Sequence, residues 1–116
     1  MNVLGLRTFI PTKDFEESKK FYQEFGFELL WENDTLAIVG TNQYQFFLQK
    51  AYAKEWAENM MLQLFVDDLD MLYSHLSTFY HKYEGVKMKP IFTADYGRTF
   101  HLIDPAGVLW HLTERK

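Results

Sequence analysis

One arrangement, used twice, restricts this chain more than any other feature. An apolar run leads to an aspartate, the aspartate opens an amphipathic helix, and short alternating runs follow. The first copy has its apolar run over 3–10 and its aspartate at Asp14; the second has them over 60–66 and at Asp68, 54 positions further on. After Asp14, Glu17 has the spacing of a capping box. Phe15, Ser18, Phe21, Tyr22 and Phe25 then recur on one helical face, and Gly26 is placed to end the helix. After Asp67-Asp68 the same spacing appears in Leu69, Leu72, Leu76, Phe79 and Tyr80, with Gly85 beyond.

Strands are expected over 27–31, 36–39 and 44–49 in the first copy, and over 86–92, 98–103 and 108–113 in the second. Asp104-Pro105-Ala106-Gly107 turns the last pair, and 51–59 reads as a loop or a short helical turn. Half a chain of this length cannot bury a sheet face alone, so the copies complete one another. The expected fold class is α+β: tandem βαβββ modules forming a curved mixed sheet around a cleft. It is expected as a single domain over 1–116, with halves of roughly 1–52 and 60–116.

Composition narrows the function. With no cysteine among 116 residues, a disulfide scaffold, a thiolate zinc site, an iron–sulfur cluster and a cysteine nucleophile are excluded. The formal charge of −4 offers no basic stripe, so nucleic acid is not an expected partner. No apolar run suits a membrane span, and the opening Met1-Asn2-Val3-Leu4-Gly5 does not read as a secretory signal, so a cytoplasmic soluble domain is expected. The aromatic share of 18% supplies large buried areas to a short core and wall material for a pocket. No Gly-x-Ser-x-Gly phrase or glycine-rich phosphate loop is present.

Three phrases carry a family resemblance: Ile10-Pro11-Thr12-Lys13-Asp14-Phe15-Glu16-Glu17-Ser18-Lys19-Lys20-Phe21-Tyr22 with Gly26-Phe27; Phe65-Val66-Asp67-Asp68-Leu69; and Gly97-Arg98-Thr99-Phe100-His101-Leu102-Ile103-Asp104-Pro105-Ala106-Gly107. In this order, on a doubled βαβββ frame, they resemble the vicinal oxygen chelate superfamily of glyoxalases, bleomycin-resistance proteins and extradiol dioxygenases. The resemblance implies a divalent ion held on inward-facing strand positions of both halves. Those positions fall on Arg7, Met61 and His111, with a fourth slot near Phe47 or Gln49. A guanidinium repels a cation, and a thioether is a poor ligand for the hard ions of oxygen-rich sites. No metal and no other cofactor is therefore expected.

Strand alternation extends this lining. With Arg7 facing the cleft, Phe9 does so too, while Leu6, Thr8 and Ile10 meet the helix. Met61, Gln63 and Phe65 form the matching row in the second half. A three-residue turn pairs Asp104 with Val108, which sets His101 opposite His111. These two imidazoles, with Glu114 near, are the alternative seed of a metal site; as pocket lining they need no ion. Trp110 alternates towards the helix. The expected ligand-binding residues are thus Arg7, Phe9, Phe47, Gln49, Met61, Gln63, Phe65, His101 and His111. Arg7 is suited to an anionic group, or else to a structural pairing with a local acid. Trp56 reads as a lid or a subunit contact, and Tyr96 and Arg98 as rim.

The expectation is a metal-free small-molecule-binding protein resembling the bleomycin-resistance branch, sequestering a drug or metabolite. The resemblance also implies clefts completed by pairing, hence a homodimer. The alternatives are a glyoxalase-like lyase or isomerase with a displaced or absent metal site, and a regulatory scaffold with a vestigial pocket.

Overall fold

The two longer helices start where an aspartate can hold the first turn. A computed structural model describes residues 1–115, and in it Asp14 Oδ1 accepts the backbone N–H of Glu17 at 3.0 Å at the head of α1 (Phe15–Phe25). Gly26 ends α1 at φ 129°, its N–H directed to the Tyr22 and Gln23 carbonyls. Asp68 Oδ1 likewise accepts from Met71 at 3.0 Å to open the later helix, α3 (Leu69–Ser77).

The strands divide into two mixed sheets. The first has the order β1 (Phe9–Pro11), β4 (Gln45–Gln49), β3 (Leu36–Gly40), β2 (Glu28–Glu32), with β1 parallel to β4 and the other pairs antiparallel. In the second, β5 (Met61–Val66) lies parallel to β9 (Leu109–Glu114), which is antiparallel to β8 (Gly97–Ile103). Strands β6 (Lys87–Met88) and β7 (Phe92–Ala94) both pair with β8. The short α2 (Lys54–Glu58) lies in the connection between the halves. This is the α+β, tandem βαβββ arrangement expected from the sequence.

One apolar cluster spans both halves, running from Ile10, Phe21, Tyr22, Val39 and Leu48 to Leu76, Phe100, Leu102 and Leu112. Each side chain of this kind that is fully buried contributes about 1.5–3 kcal/mol. A polar keystone sits inside it. The Tyr22 hydroxyl donates to Asp104 Oδ2 at 2.6 Å and accepts from Trp110 Nε1 at 2.8 Å. Asp104 Oδ1 also takes the N–H groups of Ala106 and Val108, so the Asp-Pro turn of the second half is anchored on the helix of the first. Burial pushes the Asp104 carboxyl up, and these hydrogen bonds pull it back.

Four expectations about local structure need correction. The run over 3–10 is a strand only at Phe9–Pro11, and Leu6, assigned to the helix side, is 93% exposed. A strand needs a neighbour, and β1 finds one only where β4 runs beside it. Pro11 closes this edge strand from inside it. The second helix stops at Ser77, and Tyr80 belongs to a separate 3-10 turn (Tyr80–Lys82). The run over 86–92 breaks into β6 and β7 around Pro90, which has no N–H to donate.

Candidate functional site: two aromatic sheet faces and a histidine pair

Alternation on each sheet sends one row into the shared core and the other row away from it. On the first sheet Ile10, Phe46 and Leu48 are buried, while Phe9 is 48% exposed and pairs in register with Phe47. The two rings stack at 4.3 Å and 5°. Arg7 extends over the Phe47 ring at 5.4 Å and donates to Gln45 Oε1 at 2.8 Å. It thus contacts an aromatic face and a neutral amide. With Gln49 on the same strand as Phe47, the first half contributes Arg7, Phe9, Phe47 and Gln49.

The second sheet carries Met61, Gln63, Phe65, His101 and His111. His101 faces His111 across β8 and β9, as the turn length requires. The imidazole centroids are 4.7 Å apart at 82°. His111 Nε2 lies 3.4 Å from Met61 Sδ on β5. Gln63 donates to Thr113 Oγ1 at 3.2 Å, and the Phe92 ring meets His101 edge-on at 5.4 Å. Burial, and behind it the charge of His111, lowers the His101 pKa below 6.5.

The nine expected residues therefore gather in two groups, one on each sheet. Phe9 and Gln49 line a cavity of about 610 Å³ that Tyr52 and Trp56 also border. Gln63, Phe65 and His111 line another of about 480 Å³, shared with Tyr96 and Arg115. A third cavity, about 650 Å³, opens between the halves, with Leu6, Gln45 and Phe46 on one side and Leu62, Leu64 and Phe65 on the other. Trp110 lies on the helix side, as expected, at 2% exposure.

Arg115 joins the site although the expected strand stops at Thr113. Its guanidinium stacks on Phe65 at 3.9 Å. Counting the alternation two residues past Thr113 places Arg115 in the His111 row. Arg98 is a structural cation here: it holds Asp70 through two hydrogen bonds of 2.8 and 3.0 Å and lies 3.5 Å from Glu114. Glu114 is therefore engaged with Arg98, at the border of the cavity that His111 also lines.

The divalent ion implied by the sequence resemblance does not fit these residues. Of its positions, Arg7 presents a cation, Met61 a thioether and His111 the one imidazole, and Phe47 and Gln49 add no anionic donor. Among the described residues no three His, Cys, Asp or Glu side chains are grouped to hold a metal ion. A hard divalent ion needs several oxygen or nitrogen donors converging on one point.

The geometry has close counterparts among solved structures. A bleomycin-binding protein from Streptomyces verticillus, solved with copper(II)-bleomycin, superposes with a TM-score of 0.82 at 23% identity, covering 100% of this chain and 99% of that one. An antibiotic-binding protein from Streptomyces sp. CB03234 gives 0.81 at 22% identity, covering 100% and 99%. A bleomycin resistance determinant encoded on the transposon Tn5 gives 0.79 at 18%, covering 98% and 99%. At these identities the likeness is one of fold. No curated protein matches the chain. The sequence pattern of one superfamily, however, matches residues 6–112, nearly the whole length. The chain is a member of the Glyoxalase/Bleomycin resistance protein/Dioxygenase superfamily.

Proposed function

We propose that this chain is a cytoplasmic, single-domain binding protein of the bleomycin-resistance type. It sequesters a small molecule, a drug or metabolite, without the superfamily's divalent ion. The observation that carries this reading is the exchange at the ion's positions: Arg7 is engaged with Phe47 and Gln45, and Met61 with His111, where a hard cation would need oxygen and nitrogen donors. What the faces offer instead is stacking surface, in the Phe9–Phe47 pair and the Arg115-capped Phe65, with a few polar groups set among it. That two structural relatives are a bleomycin-binding and an antibiotic-binding protein supports a small-molecule ligand of that kind.

Homodimerisation belongs to this proposal. The aromatic groups sit on separate sheets of one chain, and a second copy laid face to face supplies the missing wall. Support comes from the apolar surface left uncovered: Val3, Leu4, Leu6, Met61 and Phe65 are all exposed. Among the described residues strand β5 pairs only with β9, leaving a six-residue edge, a surface that soluble proteins seldom leave bare.

A second reading, a metal-free lyase or isomerase, draws on His101, whose lowered pKa keeps a neutral imidazole available as a base near neutral pH. Thermal denaturation across a panel of antibiotics and aromatic metabolites separates the two. Binding raises the melting temperature by mass action. At least one compound is expected to do so and to be recovered unchanged, and the shift is expected to be lost in Phe9→Ala and Phe47→Ala. A panel without a single shift contradicts the binding reading, and chemical conversion of the bound compound favours the enzyme.

A further inference from the structure

We propose that Met61, His101 and His111 form a binding site for a soft monovalent cation, with Cu(I) the ion it takes. The inference goes beyond small-molecule binding and does not depend on it. A donor set wrong for a hard divalent ion is suited to a soft one. Thioether and imidazole together favour Cu(I), whereas carboxylate, carbonyl and water favour magnesium, calcium or manganese.

The geometry is specific. Three adjacent strands, β5, β9 and β8, present the three side chains on one face. His111 Nε2 and Met61 Sδ are 3.4 Å apart. With the nitrogen and sulfur bond lengths of zinc as a guide, about 2.0 and 2.3 Å, two donors on one ion lie about 3.5–3.7 Å apart between tetrahedral and trigonal angles, slightly farther than these two atoms. A thioether is a weak acceptor, so this contact does little to hold the pair on its own. His101 stands opposite, its ring centroid 4.7 Å from that of His111. Among the described residues no hydrogen bond engages either of its ring nitrogens. The nearby Gln63 amide is turned to Thr113, and Phe92 covers one side of His101, which leaves two nitrogens and one sulfur as the donors. Three-coordinate geometry is ordinary for a d10 cation. No redox step is involved, because the ion enters and stays as Cu(I).

The test is anaerobic competition for Cu(I) supplied as its bicinchoninate complex. The unmodified protein is expected to withdraw one equivalent per chain. Met61→Leu and His101→Gln are each expected to weaken this at least tenfold, with unchanged far-ultraviolet circular dichroism showing that both are folded. Met71→Leu, altering an equally exposed methionine on α3, is expected to behave as the unmodified protein. Failure to withdraw Cu(I), or equal affinity in Met61→Leu and the unmodified protein, overturns the proposal.

Discussion

Tyr22 is the side chain on which the two halves most directly depend. Its hydroxyl is wholly buried and is shared between a carboxylate from one turn and an indole from another strand. Tyr22→Phe keeps the ring packing but leaves Asp104 Oδ2 and Trp110 Nε1 short of a partner. An unsatisfied buried group costs about 1–3 kcal/mol, so chemical denaturation is expected to show a loss of that size. No change would mean that the hydroxyl is dispensable. His101 gives a second prediction at this scale. Its pKa is depressed in the fold, so the unfolded chain takes up the proton first. Stability linked to His101 is therefore intact above pH 6.5 and erodes as pH falls through 6.5 and below. Histidine resonances followed by NMR in metal-free protein are expected to place the His101 midpoint below 6.5. Because burial is the larger cause, His111→Gln is expected to restore only part of the shift.

Among the elements, the ones with local causes were readable from the sequence. Asp14 and Asp68 announce their helices because capping needs only the next three residues, and the 104–108 turn length alone sets His101 against His111. The misplaced elements depend on distant partners. Residues 3–7 have strand composition, but β4 takes up the run only from the Thr8 carbonyl onward. The run over 86–92 has apolar residues enough, yet Pro90 and pairing with β8 divide it. The site followed the same logic: alternation sorts each strand's two faces, and Phe9, Met61 and Trp110 lie as alternation places them, but it says nothing about which faces of different sheets meet. A staple that sequence pattern does not reveal ties the end of α1 to the turn after α3: Glu24 accepts from both the Tyr83 hydroxyl and Lys82 Nζ. Tyr83, with Lys82 second, holds the Glu24 carboxyl below its ordinary 4.5. That contribution is present above pH 4.5 and disappears as pH falls through the depressed value. Glu24→Gln is thus expected to be less stable than the parent at neutral pH, with the difference closing on acidification; a gap that persists in acid would refute the linkage.

For the whole molecule, the two uncovered faces and the open β5 edge bear on assembly. A stable pairing buries about 1,200–2,000 Å² in total, and the proposed face-to-face dimer requires the two sheets to supply it. Sedimentation is expected to give twice the 13.9 kDa chain mass, and Phe65→Glu, which puts a charge on the apolar face, is expected to shift the population towards the single chain. A parent protein that sediments as one chain at every concentration contradicts the shared cleft. The proposed binding role requires that the superfamily's hard metal seat be lost in this chain. Elemental analysis of protein purified without chelator, followed by calorimetric titration with manganese, nickel and zinc, addresses that directly. No stoichiometric divalent ion is expected in either experiment. One such ion per chain, released by His111→Ala, would show the seat intact and return the protein to metal-dependent catalysis.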